Sequence, residues 1–114
     1  MSPCIFCDIA SGKRPSRTAY ADDDVYAFHD ISPQAPVHVL IIPRRHVEGV
    51  NDVAEADEAL MGHLFGVARK VARELGVAED GYRLVVNTNA AACQSVFHLH
   101  MHLIGGRNMG WPPG

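Results

Sequence analysis

No apolar run in this chain is long enough to cross a bilayer, and neither sign of charge dominates. Ten Lys and Arg stand against thirteen Asp and Glu, a net charge of −3. There is thus no broad basic footprint, which excludes a general nucleic-acid role. Cysteine is scarce and odd in number: three residues, two of them close together as Cys4 and Cys7. That makes no disulfide framework; in a reducing compartment it favours metal binding or free thiols. Met1-Ser2-Pro3 opens no signal peptide. With no membrane span either, the expectation is a cytosolic protein without a membrane partner. Internal repeats, low-complexity tracts and linkers are missing too. What remains, 114 residues of which 47% are hydrophobic and 20% charged, suits one soluble domain around one ordinary core.

Histidine, by contrast, is concentrated. In Phe97-His98-Leu99-His100-Met101-His102-Leu103-Ile104 it alternates strictly with apolar residues, the period of a β-strand. His98, His100 and His102 are expected on one face at roughly 6–7 Å intervals, with Phe97, Leu99, Met101 and Leu103 sunk into a core on the other. Three readings of the imidazoles stand side by side: an exposed face that happens to carry histidine, a hydrolytic metal centre, and covalent catalysis. The metal reading lacks a nearby Glu placed as general base. The covalent one draws on an imidazole pKa near ~6.5, which leaves much of the ring free to attack at neutral pH once an acceptor fixes its other nitrogen.

Around this stretch, Cys4 to Ala10 reads as a short helix ended by Ser11-Gly12. Ala19-Tyr20 reads as a short strand, Asp22-Asp23-Asp24 as a solvated turn, and Val25 to Asp30 as a strand before the Pro-rich loop Ile31 to Pro36. His38 to Ile42 is a β-branched central strand closed by Pro43, followed by the polar corner Arg44-Arg45-His46-Val47. A long helix is expected over Val53 to Leu75, with Asp52 and Glu55 as a capping pair. Its apolar stripe is Leu60, Leu64, Val67, Val71 and Leu75, and Gly76 ends it. His63, beside the stripe, reads as structural or surface. Tyr82 to Asn87 is another strand, Thr88 to Ser95 a loop of small residues, and Gly105-Gly106 ends the histidine strand. One long helix among short connections predicts α+β with an antiparallel sheet.

The Cys4-x-x-Cys7 pair fits a zinc site completed by histidines, a pair of free thiols, or a redox motif; the last lacks the preceding strand it needs. Cys93 has no visible partner and reads as a small loop residue. Asp30 and Asn87 sit at strand ends, where site residues and ordinary turn residues are both common.

The signature His98-Leu99-His100-Met101-His102-Leu103-Ile104 resembles that of the histidine triad family. Ala27 to Pro36, Ile42 to His46, Val85-Val86-Asn87, Gln94-Ser95-Val96 and Trp111-Pro112-Pro113-Gly114 are similar to its Hint branch, the bacterial type with CxxC. The resemblance runs from about Ile5 to Gly114. It implies an α+β fold with a five-stranded antiparallel sheet, a single domain over 1–114, and a homodimer. It also implies binding of purine nucleoside monophosphates and cleavage of P–N bonds, as in AMP or GMP phosphoramidates or adenylated lysine. Carried over by residue, His100 would be the nucleophile, its ring oriented by the main-chain carbonyl near His98, and a nucleotidyl-histidine would be hydrolysed by water. His102 and Asn87 would contact the α-phosphate and Ser95 the phosphate or leaving group. His38 would assist the proton relay, and Asp30 would accept from the ribose hydroxyls. Ile5, Phe6, Ile9, Phe28, His29, Ile31 and Leu40 would wall the purine pocket, and Trp111 would reach the partner subunit's site. No metal is required for the chemical step. Cys4, Cys7, His46 and His98 would hold a structural Zn2+, so His98 would not itself be catalytic. The loop Asn89-Ala90-Ala91-Ala92-Cys93 departs from a usually glycine-rich pattern, restricting φ where N–H groups approach phosphate. Alternatives are a diadenosine polyphosphate hydrolase or nucleotidyl transferase, a nucleotide-binding scaffold with little turnover, and a zinc hydrolase.

Overall fold

Five strands, β1 (Thr18–Ala21), β2 (Val25–His29), β3 (Val37–Pro43), β4 (Tyr82–Val85) and β5 (Met101–Gly105), pair antiparallel in the order β1-β2-β3-β5-β4. Two α-helices, α1 (Ile5–Ala10) and α2 (Glu58–Glu74), complete the expected α+β architecture. The structure is a computed structural model that describes residues 4–114; the reading of Met1-Ser2-Pro3 lies outside the described residues.

The period-2 alternation sorts the sheet into two faces. Val25 and Ala27 of β2, Val39 and Ile41 of β3, and Met101 and Leu103 of β5 pack with Leu64, Val67, Ala68, Val71 and Ala72 of α2. Tyr26, Phe28, Leu40 and Ile42 point the other way, onto Phe6 and Ala10 of α1. His38 and His102 alternate onto this second face, so α1 and the histidines share it. β5 lies between β3 and β4, so the histidine stretch is held on both sides from Met101 onward.

Three elements differ from expectation. The α-helix starts at Glu58 rather than Val53: 3-10 turns at Val50–Asp52 and Glu55–Asp57 flank an extended Val53 and Ala54. The Asp52–Glu55 capping pair does not form; Asp57 occupies the N-cap, but its carboxylate is paired with Arg45 and makes no cap bond. The stop is as expected, with Gly76 at φ +77 and Val77 N–H bonded to Ala72 O at 3.0 Å, a Schellman closure. β4 ends at Val85, two residues early. β5 begins only at Met101, so His98 and His100 precede the ladder; Phe97 is half-exposed, while Leu99, Met101 and Leu103 are buried.

His63 and the acidic turn at Asp22 are joined to one another. His63 Nε2–H donates to Asp22 Oδ2 at 2.6 Å, tying α2 to the turn before β2. Asp22 Oδ1 accepts from the Asp24 and Val25 N–H groups at 2.8 and 2.7 Å, so the acidic turn is an organised one.

Candidate active site and metal centre

At His98, His100 and His102 one nitrogen is claimed by a neighbour, and that decides what the other can do. His100 Nδ1–H donates to the His98 carbonyl at 2.8 Å. In the neutral ring Nε2 is then left with its lone pair, the state an attacking imidazole needs. The ring is buried and edge-packed on Phe6, centroids 5.1 Å apart.

A relay lies beside it. The Gln34 N–H donates to His38 Nδ1 at 3.0 Å, which commits the His38 proton to Nε2. That Nε2–H donates to His102 Nδ1 at 2.9 Å, and Asp30 Oδ2 lies 3.5 Å from the same nitrogen. The register explains the meeting: Leu40 is opposite His102, and His38 is its diagonal neighbour two residues along. His102 therefore keeps its own proton on Nε2, as a donor. Burial, with His100 and His38 nearby, lowers the His102 pKa to about 4, and burial lowers that of His38. Asp30, His38 and His102 offer ligand atoms within 4.8 Å of one another, but the proton on His38 Nε2 occupies the atom a metal would need.

One open cavity of about 240 Å³ collects most of the predicted nucleotide contacts: Ile5, Phe6, Ile9, Phe28, His29, Asp30, Ile31, Leu40, Ser95, His100 and His102. Pro15, Ser16 and Val96 join the lining. Ile31 is 98% exposed and contributes only to the rim. Asp30 also accepts from the Ser32 N–H at 2.8 Å, so it makes its turn and lines the cavity at once. Asn87 lies just beyond β4, half-buried and outside that lining; His38 stands behind His102. Trp111 is 83% exposed.

On the other side of His98 the expected metal ligands converge. Cys4, Cys7, His46 and His98 offer atoms within 4.8 Å of one another. His98 Nε2–H donates to Pro43 O at 2.7 Å, leaving Nδ1 free toward the sulfurs. That Nδ1 lies 3.3 Å from Cys4 Sγ and 3.5 Å from Cys7 Sγ, and His46 Nδ1 lies 3.5 Å from Cys7 Sγ. Tetrahedral zinc with two thiolates and two imidazoles sets S···N separations of about 3.5 Å, so the donor set and its spacing fit. Burial and the adjoining Cys4 sulfur push the Cys7 thiol up to about 11. Two thiols this close resist ionising together, and a cation between them makes both thiolates favourable.

The HIT domain family matches residues 11–109 of the chain. The chain belongs to the HIT family. This HIT chain is 52% identical over 106 residues to the purine nucleoside phosphoramidase of Escherichia coli (strain K12), covering 93% of the chain and 89% of the relative. It is 49% identical over 116 residues to a 14 kDa zinc-binding protein of Zea mays, covering 99% and 89%. Its structure is similar to that of a HIT family hydrolase from Legionella pneumophila, with a TM-score of 0.96, 47% identity and coverage of 98% and 100%.

In the HIT chain Gln94, matched by the motif but given no role by it, holds the loop together. Gln94, 5% exposed, accepts from the Asn89 N–H at 2.8 Å and donates to Glu48 O at 2.8 Å and Val96 O at 3.2 Å. It pins the loop that ends at the exposed Ser95. Asn89 and Cys93 both sit at positive φ, 66° and 67°, a backbone conformation that favours glycine. The Gln34 N–H and the Pro43 carbonyl, which set two tautomers, are main-chain groups that no motif reports.

Proposed function

We propose that the chain is a purine nucleoside phosphoramidase: one domain, working as a cytosolic homodimer, that hydrolyses P–N bonds through a nucleotidyl-His100 intermediate. The observation that carries this reading is the His100 tautomer, with Nδ1–H held by His98 O and an Nε2 lone pair beside the His102 donor. His100 Nε2 attacks the α-phosphorus and the P–N bond breaks. The nitrogen leaves as an amine, taking a proton through the solvent-open Ser95 hydroxyl. Water then adds to phosphorus, restores that proton to solvent, and frees nucleoside monophosphate and His100. The charge that grows on the phosphoryl oxygens is met by His102 Nε2–H, itself aligned by His38. Asp30 accepts from the ribose, and Phe6, Phe28, Ile9 and Leu40 enclose the base. The phosphoramidase relative from E. coli supports the substrate class.

Zinc at Cys4, Cys7, His46 and His98 is part of the same reading, as a structural ion outside the reaction. Its support is the donor set, its spacing and the zinc-binding maize relative. Exposed Val50 and Phe65 beside Met61 and Val86 support a homodimer that covers them.

Rapid quench with a fluorogenic adenosine phosphoramidate, followed by peptide mapping, tests the assignment. A nucleotidyl adduct on His100, and its loss with single-turnover activity in His100→Ala, is the expected result. Equal single-turnover rates for wild type and His100→Ala overturn it. Faster turnover of a diadenosine polyphosphate than of the phosphoramidate overturns the substrate class.

A further inference from the structure

The two halves of the site meet at a single peptide group. The His98 carbonyl that holds the His100 Nδ1–H at 2.8 Å shares its plane with the Leu99 N–H, which donates to the Val47 carbonyl at 2.7 Å. Val47 directly follows His46. Two members of the four-residue cluster therefore flank this plane, His98 at its own α-carbon and His46 through Val47. No sheet bond reaches it, because β5 pairs with its neighbours only from Met101 onward. The other pair, Cys4 and Cys7, brackets Phe6 on α1. Phe6 packs edge-on against both His98 and His100, at centroid distances of 6.1 and 5.1 Å, and walls the nucleoside cavity. α1 has only six residues and cannot hold its place by its own helical bonds.

We propose that Cys4, Cys7, His46 and His98, drawn together on a metal ion, act as positioning residues for the nucleophile, orienting the 98–99 peptide and the Phe6 wall. This rests on the phosphoramidase reading. The metal centre takes the place of the missing sheet bonds on the segment that carries the acceptor for His100. When it is lost, the 98–99 peptide turns and His100 loses its Nδ1 acceptor. The alternative tautomer then carries a proton on Nε2 and cannot attack. Separately, α1 loosens and the wall of the base pocket goes with it. Two effects follow with different signatures: the peptide limb acts on kcat, and the α1 limb on KM and on the affinity for the product nucleotide.

The test compares zinc-loaded protein, chelator-treated protein and His46→Ala. The His46 ring is exposed, so its truncation leaves no cavity in the core. Nitrogen NMR reads the His100 tautomer, calorimetry reads AMP binding, and single-turnover kinetics read the chemical step. The expected result is a depleted protein that keeps its far-ultraviolet dichroism and loses the His100 Nδ1–H pattern. AMP binding weakens several-fold, and single turnover slows about ten- to a hundredfold, the usual effect of losing an orienting partner. All three return with Zn2+, and His46→Ala shifts in the same direction. Depleted protein that keeps the tautomer and the rate overturns the proposal. So does depletion that abolishes the dichroism in both wild type and His46→Ala, which makes the metal a folding ligand only. Failure of the zinc-loaded protein to cleave any phosphoramidate counts against the activity reading alone, since the tautomer and AMP binding are read without turnover.

Discussion

Replacing Gln94 with Met removes three hydrogen bonds from a side chain that is only 5% exposed, while nearly keeping its volume. The Asn89 N–H, Glu48 O and Val96 O lose their partner. A net loss of about 1 kcal/mol per bond gives about 3 kcal/mol in total, because water reaches part of this loop and caps the cost of leaving the groups unpaired. Unfolding entropy near 2.1 cal/mol/K per residue comes to about 0.24 kcal/mol/K over the chain, so Tm falls by about 12 °C. Gln94→Glu separates shape from bonding. It keeps an acceptor for Asn89 but turns a carboxylate toward two carbonyls, so its loss equals or exceeds that of Met. Urea titration monitored by dichroism, with calorimetry for Tm, measures both. Because Gln94 also sets the approach to Ser95, single-turnover rates fall in the surviving native fraction. Variants within about 0.5 kcal/mol of wild type would refute the assignment of Gln94 as the pin of this loop.

Stability is expected to fall as pH drops from 6.5 toward about 4. In the unfolded chain His102 and His38 protonate near their ordinary value, whereas burial holds both lower in the native state, so the unfolded state takes up more protons through that window. The slope of Tm against pH measures this, and His102→Asn flattens it; an unchanged slope counts against a neutral buried relay. Cys93→Gly relieves a non-glycine residue at φ 67° and raises stability by about 1 kcal/mol, or Tm by about 4 °C; a drop in Tm would show that the thiol does something else there. Asp22→Ala costs about 2–3 kcal/mol, since the carboxylate serves two main-chain N–H groups as well as His63. His63→Ala costs about 1 kcal/mol or less, because the pair is partly solvated. Chemical denaturation of both variants and of the double mutant checks this order.

Much of the fold was legible because burial follows alternation. Val39 and Ile41 against His38 and Leu40, and Met101 and Leu103 against His102, separate the two faces of the sheet on sight. The start of α2 was not legible. Asp52 and Glu55 offer a capping pattern, but the pairing of Asp57 with Arg45, twelve residues away, keeps the last 3-10 turn ahead of Glu58. Propensity carries no record of such a long-range partner. Likewise His98 and His100 keep the strand's alternation without its ladder, because the corner at Val47, not a strand, takes the Leu99 N–H. Within the site, the Cys4, Cys7, His46 and His98 cluster and most of the cavity lining were legible only through the family resemblance, since side-chain types alone left the Cys4/Cys7 pair open. Of the tautomers only that of His100 followed, from the resemblance; those of His38 and His98 depend on the Gln34 N–H and the Pro43 carbonyl, main-chain groups that side-chain types do not report.

That dependence explains how one residue type fills unlike roles within a few ångströms. His98 gives its Nε2–H to a carbonyl and turns Nδ1 toward the sulfurs, whereas His100 gives its Nδ1–H to a carbonyl and keeps a lone pair on Nε2. His102 has Nδ1 occupied by the His38 proton, so its remaining nitrogen carries hydrogen and serves as a donor. His102 therefore cannot stand in for a missing His100 without a proton shift that also breaks its bond to His38. Nor can a metal displace the relay without evicting the Gln34 contact on His38. Three imidazoles at equal spacing look interchangeable, yet the backbone around them leaves a single unprotonated nitrogen on the cavity side.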